Sequence, residues 1–224
     1  MAEKRTVSIA SLILVPALIT LAVTILRLEG ELHHWSSIGF NRAAGGGGAL
    51  VGISWLPIIF GPYFALKLSG VGRGWLALGK SVGYIVASLV VFVAGAVLAF
   101  STITHPSILT AAGFAMMLIA AFVPRAGWRS FGNALIAYAF AARIPVLIVM
   151  FFAMRGNGGA GWGTHYDAVA PMFANAPFAT KFVYEAVLPQ MTMWIGYTVV
   201  LGSVLGIIVA AAVRRKSGAA PAEA

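Results

Sequence analysis

Arg27, Glu29, Glu31, His33 and His34 lie close together after the first apolar stretch of the chain. If a helix runs through them, Arg27 and Glu31 are four residues apart, as are Glu29 and His33. Glu31 and His34 are three apart and share a face. Glu-x-x-His is the spacing by which one helix supplies two ligands to a di-metal carboxylate centre. Such a centre needs a second copy of the pattern, and the chain has none. The chemistry reduces to a single divalent metal ion held by Glu31, His34 and either His165 or Asp167. Gly30 weakens a helix at this point. Trp35 has the bland role of an interface anchor.

Arg143 offers different chemistry. It falls near the middle of an apolar stretch and is followed by Ile144 and Pro145. A central arginine costs at least about 2.5 kcal/mol in a membrane helix, so it is expected to face the bundle interior. No Asp or Glu falls inside the six apolar stretches, so its partners must be freed carbonyls, hydroxyls such as Tyr138, Ser54 or Ser88, water, or a bound anionic group. Pro57, Gly61 and Pro62 break the second stretch in a similar way. Paired breaks in the second and fifth of six helices point to a midplane solute site. The candidate substrate-binding residues are therefore Arg143, Pro57, Gly61, Pro62 and Tyr138. The competing role for Arg143 is a structural anchor bonded to carbonyls.

Other chemistries find no support. There is no Cys, so there is no thiol nucleophile and no disulfide. H-E-x-x-H and a serine-nucleophile context are missing. Gly156 to Gly161 formally contains GxGxxG, but it follows an apolar stretch rather than a strand, so it reads as a loop. Gly45 to Gly48 lacks the Gly-Lys-Ser/Thr of a phosphate loop. No reaction and no cofactor beyond the divalent metal ion follow from the sequence, and whether the chain is an enzyme stays open.

The elements that must position these residues are membrane helices. Apolar residues make up 60% of the 224 and charged residues 9%, and the mean hydropathy is +0.93. A soluble domain carries roughly 25% charged residues, so lipid is the expected solvent. Six stretches, at about 7–28, 49–68, 80–102, 107–123, 131–154 and 190–213, are each long enough to cross a hydrocarbon core of about 30 Å. The first is too long for a signal-peptide core and lacks a cleavage site.

The net charge of +9 follows topology. Lys4, Arg5, Lys67, Arg73, Lys80, Arg125, Arg129, Arg214, Arg215 and Lys216 fall on one side of the spans. Arg27, Arg42, Arg155 and Lys181 fall on the other. Positive loops stay cytoplasmic, which sets both termini inside. Nucleic-acid binding is not expected, because no basic and aromatic pattern supports it. All four histidines and four of the six acids then fall on the outer side. The segment 156–189 is the long outer loop, with Trp162, Thr164, His165, Tyr166 and Asp167 clustered in it. Its end, 178–188, has helical spacing, with Lys181 and Glu185 four apart, and reads as a short interfacial helix. Gly202 and Gly206, and Gly79 and Gly83, are GxxxG pairs suited to close helix packing.

The expectation is an all-α, polytopic membrane protein of six transmembrane helices in the plasma (inner) membrane, both termini cytoplasmic. Residues 1–216 form a single domain and 217–224 a disordered tail. Three functions fit: a small-solute transporter or permease component for a polar or anionic solute, a membrane enzyme or metal-binding protein with a Glu/His/Asp outer site, and an accessory subunit of a larger membrane complex. The lipid bilayer is a partner in each, and the last adds protein partners.

Overall fold

The structure is a computed structural model that describes residues 8–46, 48–69 and 78–216. Glu3, Lys4, Arg5, Arg73, the tail 217–224 with its Glu223, and the side chains of Arg214, Arg215 and Lys216 lie outside the described residues. Among those described, the chain is helical without strands. The helices are α1 (Ile9–Leu32), α2 (Pro57–Ser69), α3 (Leu78–Thr102), α4 (Ile108–Phe122), α5 (Arg129–Gly159), the short α6 (Phe178–Phe182) and α7 (Trp194–Lys216). Five helical runs are long and apolar enough to cross a membrane: Ile9–Leu32, Gly79–Thr102, Ile108–Ala126, Arg129–Gly159 and Phe178–Val213.

The faces of α1 show which solvent the fold is built for. Its buried residues, Leu12, Pro16, Thr20, Thr24, Arg27 and Glu31, recur at intervals of three or four and are mostly polar. Leu14, Val15, Leu18 and Ile25 point outward. A helix in water would bury the opposite face. Here the apolar side chains face the surroundings and the polar stripe faces the protein, which suits a lipid surround.

Small residues bring the helices together. A Cβ at Gly61 on α2 would overlap the backbone of Gly202 on α7, so this contact requires glycine. Gly206 packs against Phe131 and the Gly61 carbonyl. The Gly202/Gly206 pair thus serves packing within the chain. α3 and α4 approach through Gly95, Gly113 and Ala99, and the Ser88 hydroxyl on α3 donates to the Ala120 carbonyl at 2.7 Å. α1 meets α5 where the Thr20 and Tyr138 hydroxyls lie 2.8 Å apart. Gly79 and Gly83 have open space where their Cβ atoms would be, so that pair packs no described neighbour.

Three elements differ from the sequence expectation. The second apolar stretch is helical only from Pro57, and residues 49–56 are turns and bends. Pro57 starts the helix rather than breaking it, because its missing amide donor is not needed at the first helical position. At 13 residues, α2 reaches roughly 20 Å at 1.5 Å per residue, short of a full crossing. Conversely, Pro145 does not break α5, which stays helical on both sides of it and leaves helical geometry only at Gly156, Asn157 and Gly158. Finally, 178–188 is no separate interfacial helix. It runs directly into α7 through two π-helical turns, Val183–Val187 and Pro189–Met193. Pro189 lacks the amide that a regular helix would use there, and wide turns of this kind are frequent at functional sites.

Candidate functional site

These irregular elements surround a cavity of about 340 Å³. Thr24 and Arg27 of α1 line it, with Ile53 and Ser54 of the non-helical stretch before α2, Arg143, Val146 and Met150 of α5, and His165 and Tyr166 of the α5–α6 loop. The π turns contribute Glu185, Pro189, Gln190 and Met193, and α7 contributes Trp194. Non-helical backbone within a membrane is tolerated where it is buried in protein or lines a cavity, and both Ile53 and Ser54 line this one. The cavity is small for a ligand site, near the lower end of the usual range of about 300–1,000 Å³.

One wall is a closed ionic cluster. Glu31 is fully buried, and its carboxylate accepts from the Arg27 Nε at 2.7 Å and from the His165 backbone amide at 2.8 Å. The His165 ring Nδ1 lies 2.6 and 2.8 Å from its two oxygens. A carboxylate can only accept, so Nδ1 carries a proton. Arg27 also donates from Nη2 to the Asn41 carbonyl at 2.9 Å. Burial pushes the His165 imidazole below its ordinary 6.5, with the Glu31 carboxylate pulling the other way. Next to it, burial pushes the Tyr166 phenol up, so it stays protonated and donates to the Thr24 carbonyl at 3.2 Å. These contacts tie the α5–α6 loop to α1 across more than 130 residues of sequence.

Arg143 on the same cavity is poorly satisfied. Arg143 is 4% exposed, yet its Nε has no hydrogen-bond partner. Its Nη1 reaches Gln190 Oε1 only at 3.4 Å, long for a hydrogen bond. The guanidinium lies over the Trp194 ring, 4.6 Å from the centroid, a favourable cation–π contact that satisfies no N–H. Glu185 is half-buried on the same cavity. One of its oxygens accepts from the Ala170 amide at 3.0 Å. The expected i,i+4 pairing with Lys181 is not among the ion pairs of the described residues, because the π turn begins between the two.

Of the expected metal ligands, the fold brings together Glu31 and His165 alone. α1 ends at Leu32 and His34 turns into a left-handed conformation (φ 56°), so the i,i+3 relation to Glu31 fails. The His34 ring instead sits near the Glu31 backbone carbonyl and Arg42. Asp167 faces its own turn, accepting from the Gly163 and Thr164 amides at 2.9 and 2.8 Å. No group of three or more potential ligands is assembled among the described residues.

The expected solute site is likewise redistributed. Arg143 lines the cavity, whereas Pro57, Gly61, Pro62 and Tyr138 do not. The Tyr138 ring is buried against Phe60 and Phe64, and its hydroxyl is engaged by Thr20. Ser88 is spent on Ala120. Glu185, Gln190, Trp194 and Tyr166 were missed as site residues. A glutamine and a proline adjacent to each other at the head of an apolar stretch were the available signal for the π turns. The acids are also closer in than expected: Glu31 lies within α1, and Glu185 within the helical run that ends in α7.

A scan of the chain against protein-family models finds no match, and searches of curated proteins and of solved structures find none. The site must be interpreted from its own geometry.

Proposed function

We propose that this chain is a small-solute transporter or permease component whose cavity binds a small anionic or strongly polar solute through Arg143. The carrying observation is a buried guanidinium that lines the cavity and makes no ion pair among the described residues. A buried ion without partners costs several kcal/mol, and a buried arginine kept in a membrane helix marks a functional site. The two interrupted elements beside it support the same reading, since discontinuous helices form the solute sites of many transporters. They are α2, the second helix, and the α6–α7 run in place of the fifth helix.

This reading sets the chain in the plasma membrane as a six-span protein, its second span made of the non-helical stretch 49–56 together with α2, with both termini cytoplasmic and the His165 loop outside, supported by the division of loop charges. A reporter active only outside the cytoplasm should then be silent when fused at Ala224 and active at Gly159. The reverse pattern defeats the orientation.

The test of the site is solute-dependent stabilisation of the purified chain in detergent. Small carboxylates, phosphate and sulfate are screened by thermal unfolding. A bound solute at a hundred times its Kd stabilises by about 2.7 kcal/mol. Arg143→Leu and Arg143→Lys should both abolish the shift, the second because lysine lacks the planar fork. If Arg143→Leu instead clearly lowers stability without solute, Arg143 is an anchor for carbonyls, and the solute-binding reading is abandoned.

A further inference from the structure

We infer that the solute is a zwitterion of the amino-acid type, its carboxylate on Arg143 and its ammonium group on Glu185. This inference rests on the solute-binding reading above and adds the chemical class. Arg143 and Glu185 line one cavity and carry opposite charge, yet no ion pair among the described residues joins them. Opposite charges lining one cavity attract, and each of these two faces another group: Gln190 Oε1 lies 3.4 Å from an Nη of Arg143, and the Ala170 amide donates to one oxygen of Glu185. The π turns place Glu185 about one helical turn from Gln190 on the same run.

The remaining binding capacity is complementary to a dipolar ligand. Arg143 lines the cavity, and its planar guanidinium matches a carboxylate, while its Nε is sealed in the protein without a partner. Glu185 has a second oxygen to receive an ammonium group. A simple carboxylate would meet Arg143 but also face the negative Glu185, and a simple amine would meet the reverse. Discrimination therefore comes from repulsion as well as attraction. Val146, Met150 and Met193 supply an apolar wall for a side chain, and methionines adapt to varied shapes. At roughly 30 Å³ per water-sized unit, the cavity takes a ligand on the order of ten non-hydrogen atoms.

The test is isothermal titration of the full chain in detergent near neutral pH with L-alanine, L-valine and L-leucine. Each is paired with its counterpart lacking the amine and its counterpart lacking the carboxylate; for leucine these are isocaproate and isoamylamine. At least one amino acid should bind, roughly tenfold or more tighter than both counterparts. Glu185→Gln keeps an acceptor for the Ala170 amide and should bring the amino acid down to the affinity of its carboxylate counterpart. Arg143→Gln should abolish binding of both. If a carboxylate binds as tightly as its amino acid, the zwitterion is overturned and the anion reading stands. The same holds if Glu185→Gln, shown folded by its melting temperature, leaves amino-acid affinity unchanged. If none of the amino acids binds while the anion screen is positive, the zwitterion alone falls. If both are negative, the solute-binding reading falls with it. The comparison among ligands on the native chain decides the matter even where a variant does not fold.

Discussion

Arg27 and Arg143 face the same cavity and are buried to nearly the same degree, 6% and 4% exposed, but the protein treats them in opposite ways. Arg27 is spent internally, with Nε on the Glu31 carboxylate and Nη2 on a carbonyl. Arg143 has one long contact to Gln190, an aromatic face beneath it and an orphaned Nε. The origin of the difference is local. Arg27 has an acid one turn along its own helix, so its pairing is set as soon as α1 forms. Arg143 has no acid on α5 to pair with, and its neighbours arrive from another part of the chain. The first arginine is a closed structural unit, and the second keeps an unsatisfied donor.

The largest effect should come from opening the closed unit. Glu31→Gln removes the buried carboxylate and leaves Arg27 and His165 without their partner. Breaking a buried pair in this way typically costs about 3–5 kcal/mol. Equilibrium unfolding in detergent should show a destabilisation of that order. A loss below about 1 kcal/mol would mean that the cluster does not hold the loop to α1.

Arg143→Leu should show the contrast. With so little bonded to it, its loss should be neutral or stabilise the chain by about 1–3 kcal/mol, since replacing a poorly satisfied buried charge by an apolar residue often helps. Equal destabilisation by the two variants would erase the distinction between the arginines.

The smallest effect concerns pH. Burial lowers the His165 imidazole below 6.5, so the unfolded chain binds a proton that the folded chain resists between the two values. The contribution to stability is fully present above 6.5 and is lost as pH falls through the folded value. The native chain should lose stability over this window, and His165→Asn should lose less. Identical pH profiles for the two would show that His165 stays neutral for free. Read with the Glu31→Gln result, this separates the charge of the cluster from its hydrogen bonds.

Residues within one helix carried much of this arrangement in the sequence itself. The i,i+4 relation of Arg27 to Glu31 was legible because helical geometry alone sets it. The interior position of Arg143 followed from the cost of exposing it to lipid. The partners of Arg143 were not legible, since Gln190 and Trp194 are more than 45 residues away and lie on, and directly after, a π turn that periodicity does not reveal. His34 failed as an expected partner because the helix ended two residues early, an outcome that Gly30 and the following loop influence only weakly.

The amino-acid sequence by itself determined the solvent and the helices. Apolar length and the scarcity of charge favour backbone groups bonded within each segment, and Gly202 and Gly206 marked a helix face suited to close packing. Tertiary structure alone decided which polar groups meet. It joined His165 to Glu31, held Arg143 apart from Glu185 and reduced α2 to a half-length helix. Those outcomes depend on how packed helices set distances between residues far apart in the chain, and no local propensity encodes such distances.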